Sequence, residues 1–157
     1  MRLKNILLVV SDIEKSVKFY TELFGLRVIT DFGDNVILSE GLVLQQKKLW
    51  EEHVGKTVIF GNHASELYFI ENDLESFEMK LKCCVQEADV LHGRTMNERG
   101  QNVIRIYDPD RHMIEISESS EAAARRCLKE GLSPQETAER TRLSLHLIEE
   151  MVGNEES

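Results

Sequence analysis

The sequence lacks the features expected of a membrane protein or of a protein from an oxidising compartment. It has no apolar run approaching the roughly 20 residues that a membrane-spanning helix needs, and the short run in MRLKNILLVV favours a first strand over a signal peptide. Cysteine is scarce, with 3 residues and no Cys-X-X-Cys spacing, so we expect reduced thiols. These absences predict a cytoplasmic protein without membrane contact.

Positive charge is also in short supply. The chain has 19 Lys and Arg residues against 28 Asp and Glu residues, which gives a formal net charge of −9. A polyanion would be repelled by such a surface, so a general nucleic-acid-binding role is disfavoured. The 157 residues fit one compact domain with a modest additional element.

What the sequence does contain is an internal repeat. The segments NILLVVSDIEKSVKFYTELFG and SELYFIENDLESFEMKLK both predict a strand, a turn that ends in aspartate, and an amphipathic helix. Asp12 and Asp73 are the expected N-caps, because a carboxylate accepts hydrogen bonds from first-turn N–H groups. Gly25 is the expected end of the first helix.

Strand-like segments follow each predicted helix. They are LRVITDF, NVILSE and LVLQQ in the first half, and a weak stretch near ADVLHGRTM, then NVIRIYD and MIEIS in the second. Each half therefore predicts βαβββ, with half-repeats at about 3–46 and 65–118 of an α+β domain at 1–118. A long connection, KKLWEEHVGKTVIFGNHA, joins them, and residues 119–157 predict a tail of short helices.

Side-chain alternation along the strands predicts a shared polar surface. If the isoleucines and leucines of each strand pack under the helices, the residues between them face the other way. Four polar residues then converge on the concave side of the sheet, and the repeat relates them in two pairs. They are Asn5, Gln45, Glu66 and Glu115.

The duplication, the segment FYTELFGLRV and the segment YDPDRHMIEI resemble the vicinal oxygen chelate superfamily over residues 3–118. That superfamily includes glyoxalase-type lyases, extradiol dioxygenases, fosfomycin-resistance enzymes and bleomycin-resistance proteins. The resemblance implies that the two repeats form a cup-shaped mixed sheet and that the protein is a homodimer. GLVLQQKKLW, SELYFIENDLESF and the tail are similar to a glyoxalase-like bacterial subgroup.

The resemblance also implies a metal site. Metal-dependent members bind one divalent cation through four inward strand residues, whose positions match Asn5, a position near Gln45, Glu66 and Glu115. Relatives more often supply histidine together with glutamate, whereas this set has two carboxylates and two amides. An all-oxygen set suits Mg²⁺ or Mn²⁺ better than Zn²⁺, with Ni²⁺ also considered. The alternative is a metal-free pocket in which Glu66 and Glu115 pair with Arg105 and the tyrosines.

Several other residues are candidates for ligand contact. Arg105 either clamps an anionic ligand or pairs with a glutamate, while Tyr68 and Tyr107 are expected to form pocket wall. Trp50 is a lid or an anchor for the connection, with a plain packing role favoured. His92 is a candidate for proton transfer at the rim, although a structural or surface role is expected for it.

Three functions remain open at this point. The first is a divalent-metal-dependent lyase or isomerase that acts on a small carbonyl compound, with Glu66 or Glu115 as the base. The second is a non-catalytic small-molecule binding protein of the bleomycin-resistance type, in which Trp50 encloses the ligand. The third is an assembly protein that uses the acidic tail, whose net charge of −3 disfavours DNA binding despite capping typical of a helix-turn-helix.

Overall fold

The structure is a computed structural model that describes residues 1–84 and 89–155. The first half contains β1 (Ile6–Val10), α1 (Ile13–Phe24), β2 (Val28–Asp31), β3 (Asn35–Leu38) and β4 (Leu42–Gln46), with a 3-10 turn at Ser39–Gly41. The connection contains α2 (Lys47–Val54). The second half contains β5 (Glu66–Ile70), α3 (Leu74–Cys84), β6 (Asp89–Met96), β7 (Asn102–Tyr107) and β8 (Met113–Ser117). The tail contains α4 (Ser120–Lys129), α5 (Pro134–Thr141) and α6 (Leu145–Glu155).

The element order confirms the predicted α+β class and its two βαβββ repeats. The strand orders are β1-β4-β3-β2 and β5-β8-β7-β6, so each repeat builds a four-stranded sheet of the same order. β1 pairs in parallel with β4, while β3 is antiparallel to both β2 and β4. The sixth strand was predicted to begin near Ala88, which lies outside the described residues.

The helix boundaries follow from local capping chemistry. Lys15 N donates to Asp12 Oδ1 at 3.0 Å, and Ser76 N donates to Asp73 Oδ1 at 2.9 Å. Gly25 ends α1 in the left-handed conformation, with φ of 68°. Both aspartate caps and the glycine stop are therefore confirmed.

The connection between the halves is more ordered than the sequence predicted. The sequence predicted only a long connection here, yet the connection begins with α2, whose first turn is capped by the Gln46 side chain. Gly55 ends this helix in the left-handed conformation, with φ of 64°. Trp50 and Val54 stand one helical turn apart, which is the spacing that could have indicated this helix.

The chain divides into two compact units with interleaved segments. Unit 1 consists of Met1–Glu66, Glu78–Asp89 and Tyr107–Met113, and unit 2 consists of Leu67–Phe77, Val90–Ile106 and Ile114–Ser157. In unit 1, α1 contacts β3 and β4. The core of that unit consists mainly of buried apolar side chains, including Val10, Phe19, Tyr20, Leu23, Val36, Leu38 and Leu44.

Unit 2 contains its own buried residues and the helical tail. Ile104, Ile114 and Ile116 are at most 1% exposed, as expected for strand residues that pack under a helix. α5 contacts both α4 and α6, and Ile148 lies in a small apolar cluster with Ala124 and Met151. Hydrophobic burial of this kind is the main favourable term in folding. No helix among the described residues is both long and apolar enough to cross a lipid bilayer.

The tail begins at a polar junction within unit 2. Arg126 Nη2 donates to Glu118 Oε1 at 2.7 Å and to the Gly100 carbonyl at 2.5 Å. Ser133 and Glu136 form the predicted capping box at the start of α5, with Pro134 in the first turn. The helical nature of the tail is thus confirmed, while the domain boundary at residue 118 stays a prediction.

Candidate functional site

Unit 1 contains a cavity of about 340 Å³. Its walls come from β1, from α2, from the rest of the connection at residues 56–65, and from residues 111–113. Val10 is fully buried in the core, and strand alternation puts Leu7 and Val9 on the opposite face, where they line the cavity. Trp50 and Val54 line it from α2. The cavity therefore exists because the connection passes over the face of β1 that the core leaves open.

The turn after β7 is organised by the buried carboxylate of Asp108. Its Oδ1 accepts hydrogen bonds from the backbone N–H groups of Asp110, at 2.9 Å, and His112, at 2.8 Å. Its Oδ2 contacts His112 Nδ1 at 2.8 Å and accepts from Tyr20 Oη at 2.8 Å. A carboxylate with this many partners is a stable buried acceptor. The turn is in addition held to Ser11, whose N–H and Oγ both donate to Asp110.

The Tyr20 hydroxyl is the buried partner of this carboxylate. Burial raises the pKa of Tyr20 well above its ordinary value, and the negative charge of Asp108 raises the pKa further. The hydroxyl therefore stays protonated and keeps donating to Asp108 across the neutral pH range. This contact joins α1 to the turn that carries His112 to the cavity wall.

Tyr107 is held by two residues that line the cavity. His63 Nε2 lies 2.7 Å from Tyr107 Oη, and the Arg111 guanidinium lies 4.2 Å from the centroid of the Tyr107 ring. Tyr107 is 4% exposed, so its ring serves as the buried support of this part of the wall. His112 contacts the ring of Phe60 edge-on, with the ring centroids 5.8 Å apart.

Gln45, a predicted site residue, is buried in β4 and bound by its neighbours. Its Oε1 accepts from Asn35 Nδ2 at 2.8 Å, and its Nε2 donates to the Asp34 carbonyl at 3.0 Å. Asn35 and Gln45 are cross-strand partners in the β3–β4 register. Both ends of the amide are therefore used within unit 1.

Glu115, in β8, and Arg105, in β7, form an ion pair in unit 2. The Glu115 side chain is 7% exposed and the Arg105 side chain 32% exposed. The charged groups are thus unequally buried, and the guanidinium compensates the carboxylate that the strand buries. Both are predicted site residues, and the structure brings them into direct contact.

The other predicted site residues have different surroundings. Glu66 and Tyr68 are exposed on β5. The residues that alternate with them along the strand, Leu67 and Phe69, are more buried. Asn5 is half-buried and directly precedes β1, and His92 is exposed in β6. Trp50 is half-buried and lines the cavity. The acid–base roles of Glu66 and Glu115 stay predictions.

Sequence analysis missed the residues that shape the cavity wall. Its candidate residues did not include His63, Asp108, Arg111 or His112. A signal was available in the spacing, because Asp108 and His112 stand four residues apart around a proline turn. The polar hydroxyl of Tyr20 on the apolar face of α1 was a second signal.

Residues 3–121 match the family described as the glyoxalase-like domain. The chain belongs to the glyoxalase-like domain family. The match covers both βαβββ repeats and ends at the start of α4, so most of the glyoxalase-like protein's helical tail lies outside it. The resemblance to the vicinal oxygen chelate superfamily is confirmed by this match.

Solved structures of similar chains agree with this assignment. A protein of unknown function from Agrobacterium tumefaciens shares 30% identity and a TM-score of 0.65, over 76% of this chain and 94% of that one. A glyoxalase-related enzyme from Fulvimarina pelagi shares 21% identity and a TM-score of 0.65, over 75% and 88%. A glyoxalase/bleomycin resistance protein/dioxygenase family enzyme from Burkholderia phytofirmans shares 14% identity and a TM-score of 0.61, over 73% and 96%. The two more distant structures show a common fold.

The superfamily often binds a metal, so the fit of the implied ligands matters. Gln45 already uses its amide oxygen and nitrogen, and Glu115 is paired with Arg105, which carries a permanent positive charge. A guanidinium at the carboxylate opposes a second cation there. Among residues 1–84 and 89–155, no group of three or more His, Cys, Asp and Glu side chains could hold a metal ion. Gln45 and Glu115, as the structure places them, therefore do not fit a divalent cation.

Proposed function

We propose that this protein binds a small organic molecule in the cavity of unit 1 without the help of a metal ion. The observation that carries the proposal is the cavity itself, with a volume of about 340 Å³. Sites for small molecules commonly have volumes of roughly 300–1,000 Å³ and a few polar groups that orient the ligand. The cavity falls at the lower end of that range, which favours a compact ligand.

The composition of the wall supports this function. Leu7 and Val9 from β1 face the same space as Trp50 and Val54 from α2, and Phe60 adds a second aromatic ring from the connection. These side chains offer apolar area that a ligand would remove from water, at about 25 cal/mol per Å² of apolar surface. Trp50 is an aromatic wall residue, as the second of the three sequence-based functions requires.

The contacts of the implied metal ligands favour the binding function over the metal-dependent lyase. Gln45 is bound to Asn35 and to the Asp34 carbonyl, and Glu115 is paired with Arg105. These contacts match the metal-free alternative in part, because that alternative pairs Glu115 with Arg105. Among the described residues, no contact specifically favours lyase chemistry, so metal-independent binding is the function that the geometry supports best.

A neutral aromatic probe tests the proposal directly. Trp50 is the single tryptophan of the chain, so energy transfer from tryptophan to bound phenyl naphthylamine reports on this cavity. We expect saturable binding at one site per chain. Val9→Phe, which adds a ring to the cavity wall, should weaken binding about tenfold, a change of roughly 1.4 kcal/mol. Val28→Phe is the matched control, because Val28 is 45% exposed on β2 and lies outside the lining.

The outcomes separate the alternatives. Equal binding by the two valine variants, with both shown to be folded by their thermal unfolding, would overturn the proposal. Removal of divalent ions with a chelator should leave the affinity unchanged within about twofold, or roughly 0.4 kcal/mol. A large loss of affinity on chelation, restored by Mn²⁺ or Ni²⁺, would instead support the metal-dependent alternative.

A further inference from the structure

The residues that line the cavity include positive side chains, whereas the chain as a whole has a net negative charge. The whole sequence has 28 Asp and Glu residues against 19 Lys and Arg residues. The lining, as far as the structure describes it, contains Lys56 and Arg111 together with His63 and His112, and it includes no Asp or Glu. A cavity without carboxylates in an acidic protein favours a ligand of negative charge.

We propose that the ligand is a small organic anion with an apolar or aromatic body. Its charged group would meet Arg111 and the two histidines, and its body would lie against the apolar wall near Trp50. This inference rests on the proposed function and narrows it to one class of ligand. The class is defined by chemistry, a compact molecule with a carboxylate or a similar oxyanion.

Arg111 is held in place to make such a contact. Its guanidinium lies over the Tyr107 ring at 4.2 Å, and a Cβ at Gly61 would lie 3.6 Å from Arg111 Cβ, so the connection passes close beside the side chain. Nη1 of Arg111 pairs with Asp89 Oδ2 at 2.5 Å. A guanidinium has five N–H donors, so this single contact leaves further donors for a ligand.

The pair with Asp89 does not prevent ligand binding. The side chains of Arg111 and Asp89 are 53% and 57% exposed, and exposed ion pairs contribute little to stability because water screens them. A ligand oxyanion at the cavity wall therefore competes for the guanidinium or shares it. Planar bidentate contact with an oxyanion is the geometry for which arginine is suited.

The two histidines are oriented by contacts on one side of each ring. His112 Nδ1 lies 2.8 Å from the buried Asp108 carboxylate, so this nitrogen carries a hydrogen, and Nε2 donates to an oxyanion only when the ring is protonated. His63 uses Nε2 for Tyr107 Oη, at 2.7 Å, which leaves Nδ1 for a ligand. Both rings thus have a defined orientation in the wall before any ligand arrives.

Two residues at this wall have an unusual backbone conformation. His63 and Arg111 have φ values of 54° and 66°, in the left-handed region that non-glycine residues rarely adopt. Such a conformation costs on the order of 1 kcal/mol per residue and concentrates at ligand-binding sites. Both strained residues line the cavity and both contact Tyr107.

Two probes that differ only in charge test the inference. Anilinonaphthalene sulfonate and phenyl naphthylamine share the same ring system, and only the first carries a negative charge. We expect the protein to bind the anion at least about tenfold more tightly, with Trp50 as the energy donor in both titrations. Rising salt should weaken the binding of the anionic probe and leave the affinity for the neutral probe unchanged, because salt screens charge interactions.

Matched arginine variants locate the effect. Arg111→Gln should lower the affinity for the anionic probe about tenfold and change the affinity for the neutral probe by less than about twofold. Arg142→Gln is the control, because Arg142 is also exposed and also left-handed, with φ of 61°, but lies outside the lining. If Arg111→Gln fails to fold, Lys56→Gln in the connection makes the same comparison with a smaller expected loss.

The results distinguish two failures. Equal affinities for the two probes, or an equal loss of both in Arg111→Gln, would overturn the anion inference and leave the binding function in place. Failure of both probes to bind in the cavity would overturn the proposed function and, with it, this inference.

Discussion

The two half-repeats bury cross-strand pairs at matching positions but fill them with different chemistry. In the first half, Asn35 of β3 bonds to Gln45 of β4 through their side-chain amides, across 10 residues of chain. In the second half, Arg105 of β7 pairs with Glu115 of β8 at the same separation along the chain. One pair is neutral and the other is charged. The duplicated scaffold has thus kept the position of the contact and changed the forces that hold it.

The comparison teaches what each pair contributes. A buried charge pair must offset a desolvation cost of several kcal/mol per ion, so its net contribution is small while the loss of one partner is costly. A neutral amide pair has less to offset and loses less when one side is removed. The comparison also concerns function, because Gln45 and Glu115 are two of the residues that the sequence analysis proposed as metal ligands.

Removing one member of the charged pair should have the largest effect. We expect Glu115→Ala to lower the free energy of unfolding by about 2–3 kcal/mol, because Arg105 loses its partner although it is partly exposed and can reach water. Urea unfolding followed by circular dichroism measures the change. Glu98→Ala, at an exposed position, is the control and should change stability by less than about 0.5 kcal/mol. Equal effects of the two substitutions would mean that the pair does not hold the strands.

Removing a hydrogen bond between one neutral and one charged group should cost less stability than breaking the charged pair and more than breaking the neutral pair. Tyr20→Phe removes the 2.8 Å contact with Asp108, and we expect a loss of about 1.5–2 kcal/mol at neutral pH because the acceptor is charged. The same urea titration measures it. Asp108 keeps its other donors, so the fold itself should survive.

The same tyrosine predicts the alkaline behaviour of the protein. Its pKa in the folded state is raised above the unfolded value of about 10. The stability from this group is therefore fully present below pH 10 or so and falls as the pH rises above that value, because the unfolded chain loses the proton first. Thermal unfolding from pH 8 to pH 11 should show a shallower decline in Tyr20→Phe. A decline as steep as in the unmodified protein would contradict the assignment.

The neutral pair should show a smaller effect than either charged contact. Gln45→Ala removes two hydrogen bonds, from Asn35 and to the Asp34 carbonyl, and we expect a loss of about 1–1.5 kcal/mol. Gln135→Ala, on the exposed surface of α5, is the control. A loss as large as that of Glu115→Ala would show that charge is not what separates the halves.

Converting the charged pair into a neutral one should have the smallest effect. The double variant Arg105→Asn with Glu115→Gln copies the amide chemistry of the first half, and we expect its stability to lie within about 1 kcal/mol of the unmodified protein. Its stability should also vary less with salt, because the charges are gone. A double variant as unstable as Glu115→Ala would mean that the second half requires an ion pair.

Local chemistry explains why much of the fold could be predicted. Asp12, Asp73 and Ser133 cap helices through hydrogen bonds to N–H groups three residues away, so the necessary partners lie within a few residues of each other. Alternation likewise separates Leu67 and Phe69 from the more exposed residues of β5. α2 was missed because its apolar spacing was short and lay inside a segment without strong strand or helix signals.

The candidate site was harder to predict because its members are far apart in sequence. Leu7 and Val9 meet Trp50 only after the connection folds back over β1, and His112 enters from a turn about 100 residues later. The sequence did identify Glu115 as a candidate residue. It left two roles open for Arg105, a clamp for an anionic ligand or a partner for a glutamate, and the structure shows the pair with Glu115. Asp108 looked like an ordinary turn residue because its hydroxyl partner, Tyr20, comes from a distant helix.

By itself, the sequence determined the two βαβββ repeats, their helix caps and the helical tail, because these depend on periodicity and on contacts between near neighbours. Only the tertiary structure decided which polar residues are consumed as partners and which line a cavity. The physical reason is that a buried polar group must find a partner within hydrogen-bonding distance, and which one it finds depends on packing between distant segments. Gln45 and Glu115 found theirs on adjacent strands, while Arg111 and the two histidines have partners and also line the cavity.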